Sequence, residues 1–244
     1  MTLVAAMCVA CSSTYQIAGK TEVNSLDGRM LYLKSLCGDN WMPIDSTWVE
    51  HGFFTLDGNV DTVVVVTLNM GDENIMPIVL ENGKINVSIT NSDLQASGTP
   101  LNNELYKFIS KRNDIARQLN SLDRREAQMV LDGENLDVVR SKLAKESQTL
   151  QDELNTYAET FIKDNYRNVL GPSVFLMLCS SMPYPMMTDQ VEDIMRSAPV
   201  EFTENPLIKE FLDKAKENMR LLEEHQRLQQ NMVEKQRAAM SVAP

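Results

Sequence analysis

The apolar residues of this chain change rhythm at Pro100, and that change constrains its fold more than any other feature. Before Pro100 they come in short runs or at every second position, punctuated by Gly-containing dipeptides. After it they recur at intervals of three, four and seven. A period of two sends alternate side chains to opposite faces of a strand, whereas the longer intervals gather them along one side of a helix. The chain is therefore expected to be α+β: a small antiparallel β-sandwich over residues 12–98, then a helical region over residues 99–222.

Within the first region, Leu26, Asp27, Gly28 and Arg29 predict a turn between strands at 14–24 and 30–37. Asp57-Gly58 and Asn82-Gly83 read as two more turns. Asn82-Gly83 is the strongest of these signals. Asn-Gly readily takes the positive φ angles of a type I′ turn, so residues 76–81 and 84–89 are expected to form a β-hairpin. Ile85, Val87 and Ile89 alternate there with Lys84, Asn86 and Ser88. Residues 62–68 are apolar on both faces and predict a central strand. About seven strands at this spacing make a sandwich.

In the second region the stripe Leu101, Leu105, Phe108, Ile115, Leu119 and Leu122 predicts a helix ending near Asp132. Asp132-Gly133-Glu134-Asn135 breaks it and offers a cap for the next helix. Leu136, Val139, Leu143, Leu150, Leu154, Tyr157 and Phe161 carry the stripe through residues 136–164. Two long helices joined by four polar residues predict an antiparallel hairpin. Gly171-Pro172 ends one helix and opens an apolar one over 173–179. Asn205-Pro206 opens the last, whose stripe (Ile208, Phe211, Ala215, Met219, Leu222) gives out into a polar tail, 223–244, expected to fray.

Charge narrows the partners. Over its 244 residues the formal charge is −11, and residues 12–98 alone hold eleven acidic and four basic residues, a net −7. Nucleic acid needs a concentrated basic surface, so it is not an expected partner. An acidic, solvated surface is preferred to a cation-binding face. No apolar run approaches the length of a membrane-spanning helix, about 18 residues.

Residues 3–10 are apolar and end in Val9-Ala10, directly before Cys11. That arrangement resembles the lipobox of bacterial lipoproteins, although Cys8 stands where Leu is usual and no Lys or Arg precedes the apolar run. The resemblance implies a signal segment over 1–11, lipidation of Cys11, and attachment to a membrane through that anchor. Ser12-Ser13-Thr14 follows rather than an acidic export signal, so a periplasm-facing position in the cell envelope is expected. The alternatives are a plain signal peptide, a buried N-terminal strand, or a working Cys8-x-x-Cys11 pair. The last normally needs a strand–helix setting to lower a thiol pKa.

Four stretches in this order carry a second resemblance: Tyr15 to Gly19, Ile44 to Gly58 (with Trp48 and Gly52-Phe53-Phe54), Pro77 to Val87, and Ala96 to Phe108. Together they resemble the domain of unknown function placed N-terminal to thioredoxin-like domains in Bacteroidota lipoproteins, over roughly residues 15–110. Strand, glycine and strand follow from any sandwich; Asp45-Ser46-Thr47 does not follow from packing alone. The resemblance implies a Trp-Cys-x-x-Cys redox site beyond the helices. Trp41 and Trp48 have no Cys beside them, and no such dithiol follows Cys11, so that chemistry maps onto no residue of this sequence.

Ser46, His51 and Asp57 would suit a hydrolase only with a nucleophile elbow such as G-x-S-x-G, which is absent; a surface or turn role is expected. His51 and His225 are the only histidines and lie in different halves, so no zinc site is expected. Cys37 and Cys179 are expected to be unpaired, with a bridge as the alternative. Met182 to Met187, with two prolines and Tyr184, could form a soft-metal loop but reads better as a helix connector. No catalytic, cofactor-binding or metal residue is expected. The chain reads as a non-catalytic envelope lipoprotein that binds or scaffolds an envelope protein partner, or self-associates through its helices. The alternative is an accessory or degenerate member of the thiol–disulfide oxidoreductase group.

Overall fold

The computed structural model describes residues 13–37 and 40–241. The chain divides into two compact units, Met1–Ser121 and Leu122–Pro244. The first unit holds β1 (Thr14–Thr21), β2 (Met30–Cys37), β3 (Asn40–Trp48), β4 (Phe53–Asn59), β5 (Val64–Met70), β6 (Glu73–Leu80), β7 (Gly83–Ile89) and β8 (Leu94–Ser97). It also takes the first turns of α1 (Pro100–Leu131). Two four-stranded sheets, ordered β4-β1-β7-β8 and β3-β2-β5-β6, enclose a core that includes Ile17, Leu31, Leu33, Leu68, Ile78 and Ile85. The α+β class and the sandwich are as expected, and β5 is an interior strand. The described residues form eight strands rather than about seven, and the sandwich is not wholly antiparallel, because β1 runs parallel to β7.

The hairpin expected at Asn82-Gly83 does not form, for β6 and β7 lie in different sheets. Asn82 is not in the positive-φ region that a type I′ turn requires of both central residues; Gly83 alone is, at +126°. Ile78, Val79, Leu80 and Glu81 are all buried in succession, so the end of β6 is covered on both faces. The Asn82 carboxamide oxygen accepts the N–H of Thr14, which fixes the crossing into the other sheet at β1. The Asp57-Gly58 turn is also absent, since both residues lie within β4 opposite Gln16 and Tyr15. Gly58 is there for contact: a Cβ would sit 2.9 Å from the Tyr15 ring.

The two-residue turn falls instead at His51-Gly52, with φ of +54° and +79°. Glu50 and Phe53 exchange backbone hydrogen bonds of 2.8 and 3.0 Å across it. Histidine is one of the few non-glycine residues enriched at positive φ, but His-Gly is not among the Asn-Gly and Asp-Gly dipeptides that signal such a turn.

The second unit begins within α1 and continues through α2 (Leu136–Asp164), α3 (Leu170–Cys179), α4 (Asp189–Arg196), α5 (Val200–Thr203) and α6 (Pro206–Ser241). Asn135 caps α2, its side-chain oxygen accepting from the N–H groups of Asp137 and Val138. The antiparallel course of α2 against the end of α1 shows in two ion pairs, Arg125 with Glu146 and Arg140 with Glu126. Beneath them Leu122, Val139 and Leu143 are buried. Edge-to-face ring contacts join Tyr166 to Phe202, and Phe175 to Phe202 and Phe211, at centroid distances of 4.8, 5.9 and 5.2 Å.

The tail expected to fray is instead the continuation of α6 as far as Ser241, with residues 223–233 exposed. Secondary structure changes type between Ser97 and Pro100, near the expected boundary at 98, but the compact units part later, at Ser121. The cause lies in α1, whose first turns are bonded into the β6 edge.

Candidate functional site

Both outer strands of the β3-β2-β5-β6 sheet carry a row of backbone groups with no strand beyond them. On β6 that row is closed by side chains. Pro77 has no N–H to offer, and its carbonyl accepts the Tyr106 hydroxyl at 2.8 Å. Asn102 imitates a strand: its amide oxygen accepts from Val79 N–H at 3.0 Å, and its amide nitrogen donates to the Val79 carbonyl at 2.7 Å. The Glu81 carboxylate then accepts the N–H groups of Leu101 and Asn102 at the start of α1, where negative charge is favourable. Asn102 is wholly buried.

On β3 no other element closes the row among the described residues. Only the strand's own side chains reach it, Asp45 at the Ser46 N–H and the Thr47 hydroxyl, which donates to the Trp48 carbonyl at 3.5 Å. Pairing is to β2 alone, with a bulge opposite Leu33 and Lys34. The Ser46 N–H turns away from β2 to the neighbouring Asp45 carboxylate at 2.7 Å. Large apolar side chains stand in solvent along this strand: Trp41, Met42, Ile44 and Trp48, the last 54% exposed, with Phe53 at 64% just past the turn. Natural edges are usually blunted by charge, proline or a covering element. Here Pro43, the Asp45 carboxylate and the bulge are the blunting features, set within a strip of exposed apolar side chains.

The His51-Gly52 turn brings the end of β3 to the start of β4, the edge strand of the other sheet. The sandwich thus opens on one side between two edges. One hollow of about 540 Å³ lies near the turn, between Ser46, Thr47 and Trp48 on β3 and Phe53, Phe54 and Thr55 on β4. A second, of about 500 Å³, lies at the other end, lined by Ile44, Asp45, Asp57, Asp61 and Tyr15 among others. Between the sheets the Tyr15 hydroxyl donates to Asp45 Oδ2 at 3.0 Å. Burial, that hydrogen bond and the charges of Asp45 and Asp57 push the Tyr15 hydroxyl up to about 12, so it keeps its proton and remains the donor. This gives Asp45 a physical role: it ties β3 to β1 across the open side while holding the edge N–H of Ser46. Residues 40–62 contain Asp45, Glu50, Asp57 and Asp61 and no Lys or Arg. The cleft is therefore negative, with an aromatic rim.

Ser46, His51 and Asp57 sit on β3, in the turn and on β4, and no hydrogen bond joins them. His225 lies on α6, exposed and within 2.9 Å of the Gln229 amide. Cys179 is buried at the end of α3, and burial pushes its thiol up to about 12, which suppresses the reactive thiolate. Met182 to Met187 connect α3 to α4, with the Pro185 carbonyl accepting from Asn218 on α6. Cys11 and Cys8, and with them the lipobox, lie outside the described residues, as does the side chain of Cys37. Among the described residues no group of three or more His, Cys, Asp or Glu could hold a metal ion, and no helix is long and apolar enough to cross a membrane. Reading the sequence missed the exposed edge itself. Its signal was the combination of two Trp and four acids with no Lys or Arg over residues 40–62.

No curated protein and no solved structure matches the chain. Residues 15–105, which span the sandwich and the first turn of α1, match the model of one family, a domain of unknown function (DUF4369).

Proposed function

We propose that the protein is a non-catalytic binding or scaffolding module of the cell envelope, attached to a membrane through a lipid on Cys11. The observation that carries the binding role is the uncovered β3 edge with its exposed Trp41, Ile44, Trp48 and Phe53 beside a negative cleft. Apolar side chains of this size held in solvent are what a recognition surface needs, since aromatic anchors dominate association energies. The anchor rests on the sequence around Cys11. A diacylglyceryl group supplies two chains, enough for firm attachment where one chain binds only marginally.

The test places a photo-crosslinking residue at position 48 in cells that make the full chain, with position 88 on β7 as control. A discrete adduct from 48 and none from 88 is the expected result; equal labelling of both would remove the binding assignment from this edge. Cys11→Ala should move the protein from the membrane pellet to the soluble fraction, and Cys8→Ala should not. The alternative, an accessory to a separately encoded thiol–disulfide oxidoreductase, draws on the company that the matched domain keeps in the resembling lipoproteins. Crosslinking of the full chain in cells to a separate protein that carries a Trp-Cys-x-x-Cys site would favour it instead.

A further inference from the structure

We infer that the open edge of β3 receives an extended, cationic segment of a partner polypeptide, which adds to the sheet as its fifth strand. This deepens the binding role proposed above and rests on it. Three features point to this occupant. The first is the backbone. An edge strand without closure offers alternating N–H and C=O groups to any chain that lies straight along it, and strand addition uses those groups for affinity. The Ser46 N–H marks the direction, for it points away from β2 and is held only by the adjacent Asp45 carboxylate. The contrast with β6 shows that this fold has the means to close an edge: Asn102 and Tyr106 do so there.

The second feature is charge. The strip formed by β3, the turn and β4 carries Asp45, Glu50, Asp57 and Asp61, with no Lys or Arg between residues 40 and 62. Two strand cations border it: Lys20 on β1, opposite Phe53, and Lys34 on β2, which is already engaged by the Gly71 carbonyl and the Asp72 carboxylate. Against four carboxylates they leave the strip acidic. A second copy of the same edge would set these carboxylates against their own kind, which disfavours self-pairing; a segment carrying Lys or Arg meets complementary charge. The third is the side-chain rim. Trp48 and Phe53 flank the hollow near the turn, and Ile44 borders the hollow at the other end. In an added strand, alternate residues would turn apolar side chains to the indole and phenyl faces, and lysine or arginine to the carboxylates. Cation–π contact with Trp48 favours the same residue types.

The experiment uses the full chain and three synthetic peptides as long as β3. The first alternates lysine with valine. The second replaces lysine by glutamate. The third is the lysine–valine peptide N-methylated at alternate residues, which keeps side chains and charge but cannot pair as a strand. Binding is followed by tryptophan fluorescence, and the site by amide exchange at Ser46 and Trp48. The lysine–valine peptide should bind and slow exchange at those amides. Affinity should fall about tenfold or more for the N-methylated and the acidic peptides. Ser46→Pro, which removes the edge N–H, should reduce binding likewise. Trp48→Ser keeps the question answerable should the proline variant fail to fold, and should also bind more weakly.

Equal binding of the N-methylated peptide would overturn strand addition. Equal binding of the acidic peptide would overturn the charge assignment. No binding of the lysine–valine peptide, or concentration-dependent dimers of the chain that are lost on Ser46→Pro, would replace the cationic partner. Crosslinking from position 48 to a partner in cells could survive each of these results, so failure of this inference is distinct from failure of the binding role.

Discussion

Strands β6 and β3 bound the same sheet and meet the same difficulty, a row of backbone donors and acceptors with no neighbouring strand. On β6 the difficulty is removed within the chain, by an asparagine that pairs both ways with Val79 and a tyrosine hydroxyl on the Pro77 carbonyl. On β3 only the strand's own Asp45 and Thr47 side chains reach it, and the exposed apolar residues around it are Trp, Met, Ile and Phe. The first arrangement is a permanent bond between the sheet and the start of α1, and it explains why the first turns of that helix belong with the strands. The second is covered by no other element of the fold among the described residues. An exposed apolar edge invites aggregation, so its retention beside a carboxylate-lined cleft is best understood as a surface for something that arrives later. One sheet thus has a closed edge and an open one, the latter being the edge proposed above for binding.

The largest effect that could break this comparison is expected on the closed side. Asn102→Leu keeps the approximate shape of the side chain but leaves the Val79 N–H and C=O buried without partners. Each such group costs about 1–3 kcal/mol, so the loss should reach about 3 kcal/mol or more. Urea unfolding of the full chain would read it. An effect below that of an ordinary surface change would mean that the β6 edge is not held by Asn102. Tyr106→Phe, which removes a single bond to the Pro77 carbonyl, should cost about 1 kcal/mol in the same measurement.

The tie across the open side should contribute less than Asn102. Tyr15→Phe deletes the hydroxyl that donates to Asp45 and should destabilise by about 1 kcal/mol at neutral pH. The pH dependence has a definite sign. The folded state raises Tyr15 from 10.0 to about 12, so it favours the protonated phenol. The stabilisation is complete below the unfolded value and is lost as pH rises through the window from 10.0 to about 12. Tyr106 and Cys179 shift in the same direction, so the informative quantity is the difference between wild type and Tyr15→Phe across that window. A constant difference from neutral pH to the top of the window would show that Tyr15 is not the titrating donor.

The elements themselves were largely legible, and the connections between them were not. The span of α2 follows from its stripe and from the Asn135 cap, because a helix satisfies its own backbone and its limits are local. Strand partners are decided elsewhere. Asn82-Gly83 is a strong local hairpin signal, yet the run of buried residues ending at Glu81 and the bond from Thr14 to Asn82 send the chain into the other sheet. Gly58 looked like a turn residue and is a packing residue, because the ring that needs its missing Cβ belongs to Tyr15, far away in sequence. The candidate site shared this fate. Asp45 made no sense from its neighbours, since its partner is again Tyr15. The exposure of Trp48 does not follow from its own neighbours, only from the acidic, cation-free composition of the whole stretch 40–62: whether a tryptophan is core or surface depends on what lies beyond its strand.

The smallest stability effect should come from the open edge, and its smallness is the point. Trp48 is 54% exposed and Phe53 64%, so neither ring gains most of its potential burial. Trp48→Ser and Phe53→Ser, single or combined, should change unfolding free energy by about 0.5 kcal/mol or less each, as surface substitutions do. The same changes should reduce crosslinking from the edge and binding of a lysine-bearing strand. Solubility offers an independent reading. With fewer apolar groups beside bare backbone, the double variant should resist precipitation on concentration better than wild type. Should Trp48→Ser instead destabilise the fold as strongly as Asn102→Leu, the indole would be part of the core, the two edges would be equally structural, and the case for recognition at β3 would fall.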